Sequence, residues 1–155
     1  MTNNEIIEKK YAEAVVGIKT EWFNEVNSNW YNYIMELPVD LQTTYLVVVL
    51  HNQIFNGGFH QYFINGYGQF ASETIDALKR IGASKRAKNL NDAFEIVNTE
   101  NDIDFVFREK LMSKEINKLF KEDDLFDPLD ELDTQYYNEE KEDIEELLGN
   151  YLRKL

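Results

Sequence analysis

The 155-residue chain contains no cysteine. That excludes a disulfide, a thiolate nucleophile and a zinc–thiolate site, and it suits a reducing cytoplasm. No long apolar run is present either. The longest, "YLVVVL" (Tyr45–Leu50), is far too short to span a bilayer. The first residues, "MTNNEIIEKKYAEA", place charges where a signal peptide needs an apolar core. No Pro/Ser/Gly-rich linker, repeat or low-complexity tract divides the chain, and its length is that of one domain, 1–155. A further absence is local. From Leu41 to Ser72 there is no Asp, Glu, Lys or Arg, although 29% of the whole chain is charged.

Apolar content of 43% is enough to fill a core, and 14% aromatics argue against disorder. The aromatic surplus would also suffice to cover a homodimer interface. Net charge is −13, unevenly spread. Met1–Asp40 has 7 acids and 3 bases, Glu73–Phe120 has 9 of each, and Lys121–Leu155 has 13 acids and 4 bases. Such a balance repels nucleic acid and anionic membranes and favours basic partners.

Apolar spacing is helical almost throughout. The N-terminal forty residues suit one long or two shorter helices, with Trp22, Phe23, Val26, Trp30, Tyr33 and Ile34 as candidate core. "TTYLVVVL" is β-branched, but a lone strand would have no partner. A buried helix over Val39–Phe55 is therefore expected. Helices are also expected from Ser72, stopped at Gly82, and from Ser84, with Ala87, Leu90, Phe94 and Val97 inward. A further helical stretch brings in Phe107, Leu111, Ile116 and Leu119. "EDDLFDPLDELD" (122–133) reads as a loop and short helix. A last helix, capped by Asn138, places Ile144, Leu147, Leu148, Tyr151, Leu152 and Leu155 on one stripe. The predicted class is an all-α, single-domain multi-helix bundle.

Both histidines and four of the seven glycines lie in "HNQIFNGGFHQYFINGYG", His51–Gly68. "NGG" reads as a helix stop and "GYG" as a second break, which together predict a tight helical reversal over residues 56–68. His51 and His60 have no nearby carboxylate to complete a metal site or orient an imidazole. The glycines do not match a phosphate loop. Asn52, Gln53, His60, Gln61 and Asn65 are expected to satisfy the backbone of an irregular turn without the cost of a buried charge. No catalytic group, cofactor or metal site is read from the chain. "DDLFDPLDELD" lacks the glycine and closing glutamate of a calcium loop.

"NQIFNGGFHQYFINGYG", followed by "ALKRIGASKRAKNLNDAF" and "LDELDTQYY", resembles the bacterial DNA-mimic protein family. The resemblance runs from about Leu37 to Tyr137, with a weaker echo to the C-terminus. Its structural signature falls on Asn52, Asn56, Gly57, Gly58, Phe59, His60, Gln61, Asn65 and Gly68. The resemblance implies an acidic all-helical fold without enzymatic activity, whose negative surface imitates DNA. The surface would then be the acidic third, 121–155: Glu122, Asp123, Asp124, Asp127, Asp130, Glu131, Asp133, Glu139, Glu140, Glu142, Asp143, Glu145 and Glu146. Carboxylates at i, i+3 and i+4 on a helix lie about 5–6 Å apart at Cβ, near the spacing of successive phosphates. Glu139, Glu142, Asp143 and Glu146 are expected at such steps on the last helix. The partner would be a basic DNA-binding protein, a repressor or nucleoid protein. Two alternatives stand beside this: an immunity- or antitoxin-like protein that masks a basic toxin, and an enzyme using the His51/His60 region.

Overall fold

A computed structural model describes residues 1–155. The N-terminal region folds as two helices, α1 (Asn3–Val15) and α2 (Asn29–Glu36), joined through a 3₁₀ turn at Thr20–Asn24. Thr2 and Glu5 form a reciprocal cap that fixes the start of α1. Trp30 and Ile34 are buried as expected, Trp22, Phe23 and Tyr33 pack at the core's edge, and Val26 is instead exposed.

The uncharged segment forms most of α3, Val39–Ile64, the longest helical element, against which α1, α4, α8 and α9 pack. The break expected at "NGG" falls at Gly58, whose φ of 80° is not helical: α3 is two helical segments meeting at a kink there, the second starting at Phe59. The turn out of α3 comes later, at Asn65 and Gly66, where Gly66 has φ 88°. Tyr67–Phe70 make a 3₁₀ turn into α4 (Ala71–Arg80). Gly82, at φ 92°, then separates α4 from α5 (Ser84–Val97) as the sequence predicts. Next come α6 (Asp104–Met112), the single turn α7 (Asn117–Phe120), α8 (Phe126–Tyr137) and α9 (Ile144–Arg153). The fold is all-α.

A continuous core of 34 buried apolar residues joins these helices. Trp30 is its aromatic centre. Its indole N–H donates to the Tyr45 hydroxyl at 3.0 Å, and Phe23, Tyr67 and Phe70 meet its ring edge-on. Full burial of one such side chain contributes roughly 1.5–3 kcal/mol. The chain's two ends meet: α1 lies against α9, where Gly149 leaves room for Asn3.

The last helix starts later than Asn138. Asn138 ends α8, and Asp143 caps α9 by accepting from the Glu146 N–H at 3.0 Å. Glu139, Glu140, Glu142 and Asp143 therefore precede α9, and the expected Glu139–Glu142–Asp143–Glu146 ladder does not form.

Candidate functional site, an acidic surface on α8 and α9

Ten of the thirteen acids expected at the surface are exposed: Glu122, Asp123, Asp124, Asp127, Asp130, Glu131, Glu140, Asp143, Glu145 and Glu146. Glu139 is half-buried, with its carboxylate 3.6 Å from Lys85 Nζ. The exposed acids form two groups. The first leads into α8, where Asp127, Asp130 and Glu131 stand at i, i+3 and i+4 on one helix. The second surrounds the start of α9.

Two of the thirteen turn inward. Asp133 is buried, and its carboxylate accepts from the Phe59 N–H at 2.7 Å. That N–H is the first of the helical segment after the kink at Gly58, so Asp133 caps this segment from another helix. Burial pushes the Asp133 carboxyl above the usual carboxylate range, while the Phe59 N–H pulls it the other way.

Glu142 is likewise buried, and its carboxylate accepts from the Lys85 and Arg86 N–H groups at the start of α5, both at 2.8 Å. Arg86 answers in the opposite direction. Its buried guanidinium donates to the carbonyls of Glu142, Tyr136 and Glu139 and lies 4.2 Å from the centre of the Tyr136 ring. This double clasp holds the chain between α8 and α9 out of helix. Asp133 and Glu142 thus serve the fold, since a buried carboxylate engaged by backbone donors cannot present charge to a partner.

The amides around the kink bond mostly to one another. Gln53 accepts from Gln61 and Asn65, each at 3.0 Å, and Asn56 donates to Gln61 at 3.3 Å. The expected backbone bonds are replaced by this side-chain chain across the kink. The missing charges do not mean full burial either, because Asn52, Phe55, Asn56, Gly57, Ile64 and Asn65 are exposed. Gly68 gives room to the Phe63 ring.

The histidines are engaged separately. His51 Nδ1 lies 3.0 Å from the Tyr136 hydroxyl, and burial, with Arg86 nearby, lowers the imidazole pKa to about 4. His60 stacks on Phe126 at 3.8 Å, and burial lowers its pKa too. No three His, Asp or Glu side chains converge as metal ligands would.

Sequence reading missed two participants. Arg86 gave no local signal, because the carbonyls it holds lie about fifty residues further on. Glu8 is on α1, yet it lines the same groove as Glu145 of α9. Glu8 therefore stands beside Glu145 of the second acidic group.

Fold and surface together define an all-helical protein with two exposed groups of acids, one leading into and along α8 and one around the start of α9. The chain belongs to the DMP19-like protein family, whose model matches residues 35–155. That match is consistent with a DNA-mimic family, which is not a family of enzymes. No curated protein and no solved structure matches the chain. No helix is long and apolar enough to cross a membrane.

Proposed function

We propose that this protein imitates the negative surface of duplex DNA and thereby inhibits a basic DNA-binding protein in the cytoplasm. The observation that carries this reading is the row of exposed carboxylates Asp127, Asp130 and Glu131 on α8, with the second exposed group about the start of α9. Neighbouring acids at i, i+3 and i+4 sit at phosphate-like intervals. A duplex carries about one charge per 1.7 Å of axis over two strands, so one helix matches part of it and two groups match more. Family membership supports the same reading.

The test is capture of basic proteins from native lysate with and without excess duplex DNA. A mimic loses its partner to the DNA, and steeply as salt rises. Capture that duplex DNA does not displace would favour the masking of a basic toxin instead.

A further inference from the structure

Between α1, α3 and α9 lies a groove of about 420 Å³, toward the lower end of the roughly 300–1,000 Å³ of ligand pockets. Its apolar lining is Ile7 and Tyr11 of α1, Val48 of α3, and Ile144 and Leu148 of α9. Two exposed carboxylates also line it, Glu8 from α1 and Glu145 from α9, and neither forms an ion pair. Glu8 accepts only from Asn4, at 3.1 Å. No Lys or Arg lines the groove. His51 lines it too, with Nδ1 engaged by the Tyr136 hydroxyl. Burial keeps that imidazole neutral near pH 7, so it adds no positive charge.

An apolar trough with acids on two of its helices fits a side chain that has an aliphatic stem and a cationic head. Lysine and arginine both have that form. Arginine fits better: its guanidinium is planar, less strongly hydrated than an ammonium, pairs with carboxylates through two N–H groups and stacks on aromatic rings such as Tyr11. We infer that this groove receives an arginine side chain of the protein partner. The stem lies on Ile7, Val48 and Leu148, and the guanidinium pairs with Glu8 and Glu145. The inference rests on the reading of the protein as a binder of basic proteins and locates one contact of that interface. Ile7, Glu8 and Tyr11 lie outside the residues matched by the family, 35–155, so this contact depends on the chain's own first helix.

The probe is the peptide acetyl-Gly-Arg-Gly-amide, titrated into the full-length, methyl-labelled chain and followed by NMR. Saturable shifts are expected at the methyls of Ile7, Val48, Ile144 and Leu148. The citrulline peptide, an uncharged isostere, should give none. Glu8→Gln combined with Glu145→Gln should weaken the arginine peptide about tenfold while leaving the spectrum of the free protein folded. Equal shifts with citrulline, unchanged affinity in the double variant, or shifts confined to methyls outside the groove would overturn the inference. None of these readouts involves a DNA-binding partner. A failed titration therefore removes the groove alone, and displacement by duplex DNA still decides the wider reading.

Discussion

The Asp133 carboxylate and the Phe59 N–H, 74 positions apart in the chain, are joined at 2.7 Å across the kink of α3. Removing the acceptor leaves a buried N–H without a partner, which costs about 1–3 kcal/mol. Asp133→Ala should lower unfolding stability by that amount in urea titration. Asp133→Asn keeps an acceptor oxygen and should lose less. Equal losses for the two would show that the hydrogen bond to Phe59 is not what Asp133 supplies.

Gly58 makes the matching prediction. Its φ of 80° disfavours any side chain, and a Cβ there would clash with the Asp133 carboxylate. Gly58→Ala should therefore cost at least the roughly 1–3 kcal/mol of a strained backbone. In the Asp133→Ala background the clash disappears and only the backbone cost remains. A double-mutant cycle should show this coupling, and strict additivity would argue against the contact.

Arg86 and Glu142 form the second clasp. Breaking a buried charged network by removing one partner costs about 3–5 kcal/mol. Arg86→Ala should fall in that range by chemical denaturation. Arg86→Lys should rescue little, because an ammonium cannot hold three carbonyls arranged around a planar fork. Full rescue by lysine would reduce Arg86 to a simple charge.

His51 sets a pH dependence whose sign is fixed. Its folded pKa is about 4, below the ordinary 6.5, so between those values the unfolded chain binds more protons than the folded one. The contribution of neutral His51 is complete above about pH 6.5 and is lost as pH falls toward 4. His51→Gln, which can still bond the Tyr136 hydroxyl, should flatten stability against pH across that window. An unchanged slope would mean that His51 remains accessible to protons in the folded state.

The surface and the buried acids should separate by readout. Asp127, Asp130 and Glu131 changed together to Lys should weaken capture of a basic partner at least about tenfold, with stability altered by only some tenths of a kcal/mol per site. Glu142→Gln should lower stability. If capture persists after reversal on α8, and also after reversal of Glu145 and Glu146, the acidic face is not the interface.

Much of the fold was legible because helical periodicity is local. Ala87, Leu90, Phe107 and Leu111 occupy the inward positions that spacing gives them, and Gly82 ends its helix because a left-handed turn favours glycine. The same local rules misplaced the start of α9, since Asn138 and the acids after it form an acceptable first turn in isolation. Glu142 is drawn instead to the start of α5 and Asp133 to the restart of α3. Both targets are free backbone N–H groups on other helices, more than fifty residues away. The sequence by itself determined that the chain is helical, acidic toward its end and apolar along particular stripes. Which carboxylates face solvent was decided only by tertiary packing, because a helix terminus left without donors' partners will recruit a carboxylate from wherever the fold brings one near.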